Sequence, residues 1–174
     1  MDISTALQRL HRFDRQGIYV YTKGNLRRVF FDDTQEAFKQ SLPRLIKQGI
    51  LERPCRGVYL FALSRRDCFA VEHIACALRR GEYNYVSLES ALSEYGAISQ
   101  IPISYLTVMT TGRKGVFKTP YGTIEFTHTK RDDMDILHNT IKIPQRPLRI
   151  ATEAAALRDL KRVGRNLHML VEED

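Results

Sequence analysis

The sequence predicts an α+β protein in two parts, and three observations carry that expectation. Apolar residues recur at helical spacing over much of residues 3–61, whereas residues 105–143 switch to a period of two before a last helix. A short polar stretch, Ser64-Arg65-Arg66, lies between the two patterns. Charge divides at the same place. Residues 1–66 hold 13 Lys+Arg against 6 Asp+Glu, a net +7, and residues 67–174 hold 14 against 14. The expected domains are therefore residues 1–63 and residues 67–174. The excess positive charge belongs to the first, where it suits a polyanionic partner.

Within the first part, Ile3, Ala6, Leu7, Leu10 and Phe13 predict a helix over 3–14, ended at Gly17. The β-branched and aromatic run at 18–21 predicts a short strand, and Thr22 is placed to cap a second helix over 24–29. Phe30-Phe31-Asp32-Asp33 makes the turn, with its aromatics expected beneath it. A longer helix follows, with Asp33 and Glu36 as its capping box and Lys47 before a terminal Gly49. Phe38, Leu42, Leu45 and Ile46 form its apolar face. Pro43, which lacks a backbone N–H, predicts a kink or break there. Residues 50–53 and 58–61 are strand-like and are joined by Pro54-Cys55-Arg56-Gly57.

Helix, turn, helix and two strands around a basic tip is the order of a winged helix-turn-helix, a DNA-reading unit. Gln35, Lys39 and Gln40 project from the first turns of the longer helix and are the candidates for contacting base edges. Arg27, Arg28, Arg44, Arg53 and Arg56 are the candidates for phosphate or minor-groove contact. Arg44 joins that group because a break at Pro43 would leave only residues 35–42 in a groove. Two blander readings stay open: Arg27 and Arg28 as a solvated pair, and a winged helix that serves as a protein-interaction module.

In the second part, Asp67 is placed to cap a helix running to Arg80, and a strand is expected over 83–86. Ser87 is placed to cap a further helix through Tyr95. Strands are expected at 105–111, 116–119, 123–129 and about 140–143, and Thr152 caps a last helix that Gly164 closes. This order fits a small α+β domain with a mostly antiparallel sheet.

Enzyme chemistry finds little support. Gly112-Arg113-Lys114-Gly115 matches the GxxG loop of some RNA-binding domains, but expected strands flank it, so it reads as a basic hairpin turn. There is no P-loop, dinucleotide fingerprint or GxSxG elbow. The five histidines are scattered, and Cys55, Cys68 and Cys76 form no CxxC pair, so neither metal nor cofactor is expected. Glu125-Phe126-Thr127 has Thr where the acid-x-Lys of metal-dependent nucleases has Lys. Asp132-Asp133-Met134-Asp135 lacks the Gly and distal Glu of a calcium loop and reads as a solvated turn. No apolar run reaches the ~20 residues of a membrane span. The first residues, MDISTALQRLHRF, lack the apolar core of a signal peptide. A cytoplasmic protein without a membrane partner is the expectation.

Taken together, both halves carry a resemblance. ILERPCRGVYLF at 50–61, YVSLESAL at 85–92, LTV at 106–108, TPYGTIEF at 119–126 and IATEAAALRD at 150–159 occur in an order that resembles the AbiEi family of antitoxins from type IV toxin–antitoxin systems. The likeness runs from about Leu7 to Leu160. It implies a bacterial protein whose N-terminal domain binds double-stranded DNA at repeats in its own promoter and represses the operon. It further implies a C-terminal domain that counteracts a nucleotidyltransferase-like toxin encoded beside it, without a stable complex, in phage defence. The expected function is a non-enzymatic autorepressor and antitoxin. The alternative is a winged-helix protein with a nuclease-like or protein-interaction C-terminal domain.

Overall fold

Local signals within the first 70 residues place three helices and a hairpin in sequence. The computed structural model describes residues 1–99 and 104–171 and divides the chain into two units, Met1–Ala70 and Val71–Asp174. In the first, α1 (Ile3–Asp14) is followed by β1 (Val20–Thr22), α2 (Lys23–Val29), α3 (Gln35–Lys47), β2 (Leu51–Cys55) and β3 (Val58–Phe61). The three strands form an antiparallel sheet in the order β1-β3-β2, and every residue of the central β3 is buried. A register shift between Glu52 and Cys55 bends β2, and Gly57 turns the tip at φ 88°. Leu10 of α1, Leu26 of α2, and Phe38 and Leu45 of α3 pack with Phe30, Leu51 and Phe61 in one apolar core.

Capping explains where α2 and α3 start. The Thr22 hydroxyl accepts the Asn25 backbone N–H, while the Asn25 side chain accepts the Thr22 N–H, a reciprocal box. For α3 the sequence reading is corrected. Thr34, not Asp33, is the cap, accepting the Ala37 N–H at 3.2 Å, while Asp33 pairs with the Met1 amino group at 3.0 Å. The turn aromatics also differ from expectation: Phe30 is fully buried, but Phe31 is 72% exposed under the Arg9 guanidinium. Pro43 does not break α3, which runs on to Lys47. Phe38 and Leu42 before it and Leu45 after it are anchored in the same core, so the hydrogen bond that Pro43 lacks does not end the helix.

The second unit contains α4 (Ala70–Leu78), β4 (Asn84–Val86), α5 (Leu88–Glu94), β5 (Tyr105–Thr110), β6 (Gly115–Thr119), β7 (Gly122–His128), α6 (Asp133–His138), β8 (Thr140–Ile141), β9 (Arg149–Ala151) and α7 (Glu153–Val163). Among the described residues its sheet runs β6-β7-β5-β4-β9-β8. The expected mostly antiparallel sheet is in fact mixed: β5–β7 and β4–β9 are parallel, alternating with antiparallel β6–β7, β4–β5 and β8–β9 pairs. The Gly112–Gly115 connection is not a hairpin turn, because β6 pairs with β7 and leaves β5 to lie parallel to β7.

Three more local expectations are corrected here. Asp67 does not cap α4; its carboxylate accepts the Phe69 N–H and the Tyr19 hydroxyl within the first unit. Ser87 stands before α5 but its hydroxyl donates to Asp159 at 2.8 Å instead of capping. The acidic run at 132–135 is no solvated turn but the start of α6, with Asp132 accepting the Asp135 N–H. At the last helix Thr152 accepts the Ala155 N–H, as the sequence predicts.

The core of this unit mixes apolar side chains with paired charges. Arg146, 6% exposed, lies between Glu72 and Glu94, its Nη2 at 2.6 and 2.8 Å from their carboxylates. Fully buried Asp159 accepts the hydroxyls of Ser87 and Tyr85 and pairs with Arg131. Arg165 binds both oxygens of Glu89 and one of Glu125.

Candidate nucleic-acid interface

The sequence-predicted contact residues fall on three elements of the first unit. Thr34 fixes the start of α3, and Phe38, Leu42 and Leu45 fix which way it faces, so Gln35, Lys39 and Gln40 are left exposed. Gln35 and Lys39 lie one turn apart on α3. On α2, Lys23 and Arg27 have the same spacing. These four, with Gly24 and Phe38, line a cleft of about 370 Å³. Gln40 does not line it.

Arg27 is half-buried and held in place. Its Nη1 donates to the Phe30 carbonyl at 2.8 Å, and its guanidinium lies 5.6 Å from the Phe38 ring centroid. It is therefore a fixed wall of the cleft and not a mobile arm. Arg28 is exposed on the neighbouring face. Arg44, also exposed, donates to the Met1 carbonyl and ties α3 to the start of the chain. On the hairpin, Arg53 lies 5.8 Å over the Tyr59 ring, and Arg56 is exposed beside Gly57 at the tip.

Lys23 is the residue that sequence reasoning passed over. Its i,i+4 spacing from Arg27 was the available signal, hidden because Lys23 reads as the residue after a cap. Two ammonium groups and a guanidinium around the amide of Gln35 make the cleft a donor-rich, positively charged surface. Such a surface pairs with phosphate oxygens or with acceptors on base edges.

A smaller cavity, about 220 Å³, lies in the second unit among Glu89, Tyr105, Glu125, Arg165 and Asn166. Glu125 has both carboxylate oxygens engaged, one by Arg165 and the other accepting the Tyr105 hydroxyl at 2.6 Å. That hydrogen bond, with burial, pushes the Tyr105 phenol up to about 12. Burial pushes the Glu89 carboxyl up, but hydrogen bonds from Arg165 and Asn166 outweigh it and hold the group below the usual carboxylate range. Among the described residues, no three or more His, Cys, Asp or Glu side chains gather as a metal site. Among the same residues, no helix is long and apolar enough to cross a membrane.

No family model matches the sequence, and no curated protein matches it. Among solved structures, the RV2827C protein from Mycobacterium tuberculosis is similar at 15% identity with a TM-score of 0.49. The match covers 78% of this chain and 48% of that one, so the chain spans about half the length of this neighbour.

Proposed function

We propose that the first unit is a winged helix-turn-helix and that the chain is a DNA-binding transcriptional autorepressor. The observation that carries this reading is the exposed polar face of α3, Gln35, Lys39 and Gln40, in the same unit as the exposed arginines of the β2–β3 hairpin. In this reading α3 enters the major groove of duplex DNA. Gln35, Lys39 and Gln40 then contact base edges, while Arg28, Arg53 and Arg56 contact the backbone. The net +7 of residues 1–66 supports it, because backbone contacts need cations that are not engaged internally. Arg27 is assigned to shaping the cleft and Arg44 to positioning α3, since both already donate to backbone carbonyls.

The second role, antitoxin action against a neighbouring nucleotidyltransferase-type toxin in the cytoplasm, rests on the resemblance of residues 50–61, 85–92, 119–126 and 150–159. Co-expression with the gene encoded beside it tests that role. Rescue of growth supports it, and unrelieved toxicity from an active nucleotidyltransferase rejects it.

The repressor reading is tested by a mobility-shift titration on the gene's own upstream region at several salt concentrations. Arg56→Ala should weaken binding to all duplex sequences and lower the slope of log K against log salt by about 1. Lys39→Ala should reduce the preference for the upstream region. Absence of any shift with the intact chain would overturn the reading.

A further inference from the structure

Lys23, Arg27 and Lys39 all line the cleft between α2 and α3, and the repressor reading uses only Lys39 of them against base edges. Among the described residues no carboxylate lines it. The acids close by in sequence are placed elsewhere. Asp32 pairs with Arg9, Asp33 with the Met1 amino group, and exposed Glu36 is off the lining. None of the three cations forms an ion pair among the described residues. The bond from Arg27 goes to the neutral carbonyl of Phe30, which orients the guanidinium without cancelling its charge.

Gly24 is also part of the lining. A Cβ there would meet only the Thr22 Oγ1, at 3.7 Å, which is ordinary contact. Packing therefore does not require a glycine at this position, and a helix is weakened by one. What the missing side chain does provide is open space beside Lys23 and Arg27, one turn apart on the same helix.

We propose that this cleft binds a small phosphate monoester and that its occupancy releases duplex DNA. Three cations gathered on one cavity call for more than one negative charge. A monoester supplies nearly two on a single group, whereas each phosphodiester of a DNA backbone supplies one. At about 370 Å³ the cleft also has room for the organic part of such a molecule, within the span of small-ligand sites. Lys23, Arg27 and Lys39 donate to the phosphate oxygens as charge-assisted hydrogen bonds. Release follows because Gln35 and Lys39 cannot serve the ligand and base edges together. That second half rests on the repressor reading; the binding itself does not.

The test is calorimetric titration of the full chain at about pH 8, where the monoester is a dianion, with ionic strength held constant. The probes are inorganic phosphate, uridine 5′-monophosphate and dimethyl phosphate, a diester with a single charge. The first two should bind at about 1 mM or tighter, and dimethyl phosphate at least about tenfold more weakly. Lys23→Ala should weaken both by about tenfold. Gly24→Glu, whose carboxylate suits a first helical turn, should fold and abolish both. In the mobility-shift titration, uridine 5′-monophosphate at about ten times its dissociation constant should weaken the intact chain's binding to the upstream region about tenfold. The same concentration should weaken Lys23→Ala only about twofold. Failure of uridine 5′-monophosphate to bind overturns the proposal. So does dimethyl phosphate binding as tightly as phosphate, or unchanged affinity in Lys23→Ala. A mobility shift that uridine 5′-monophosphate leaves unaltered overturns the release. No shift at all with the intact chain overturns the repressor reading, while Lys23-dependent phosphate binding still upholds the site.

Discussion

The two units handle charge in opposite ways. The first packs an apolar core of Leu10, Leu26, Phe30, Phe38 and Phe61 and keeps Arg28, Lys39, Arg53 and Arg56 at its surface. The second carries Arg146, Glu72 and Asp159 inside, each paired. Solvent-facing cations are available to a partner, whereas an arginine buried between carboxylates serves the fold, because separating such a pair leaves an uncompensated charge. Net charge by segment therefore understates the second unit. Its zero sum hides internal clusters in which two carboxylates share one arginine, Glu72 and Glu94 on Arg146 and Glu89 and Glu125 on Arg165, while Arg113 and Lys114 stay exposed.

That contrast can be broken most sharply at Arg146. Arg146→Met leaves Glu72 and Glu94 without their shared partner and should destabilise the second unit by about 3–5 kcal/mol. Hydrogen exchange should show lost protection in β4, β9 and α5 with the first unit's amides unchanged. Unchanged protection throughout would show that the pairing is not what holds that core.

A smaller effect is expected from acid. Glu89 in the folded chain gives up its proton more readily than in the unfolded chain. Its pairing therefore stabilises at neutral pH and is lost as pH falls below the ordinary glutamate value of about 4.3. Glu89→Gln should be less stable than the parent at neutral pH and show a flatter decline on acidification. Parallel pH profiles for the two would remove Glu89 from the account. In the first unit Thr34→Ala, which deletes the α3 cap, should cost about 1 kcal/mol. Asp33→Ala tests the alternative cap: it should leave the protection of the first α3 amides intact, and loss there would return the cap to Asp33.

Much of the first unit was legible because its signals are local. The apolar spacing from Ile3 to Phe13 predicts α1, and Thr22, Gly49 and Gly57 mark boundaries whose partners lie within a few residues. The same locality let Gln35, Lys39 and Gln40 be chosen by exclusion from the apolar face. At α3 the sequence pointed to Asp33, but Thr34 is the cap, because Asp33 is taken by the Met1 amino group, a partner no local signal announces. Lys23 needed the facing helix before its place in the cleft could be seen.

By itself the sequence determined the α+β class, the succession of helices and strands through residue 61, the charge asymmetry and the cap of the last helix. Each is decided by neighbours within one or two turns, where period and capping chemistry act directly. Tertiary structure alone decided the mixed sheet, the strand β9, and the pairing of Arg146 with Glu72 and of Asp159 with Ser87. Those partners lie 74 and 72 residues apart. Arg149-Ile150-Ala151 holds a single β-branched residue and no aromatic, unlike the run at 18–21, and a buried charge declares its partner only when the fold brings the two together.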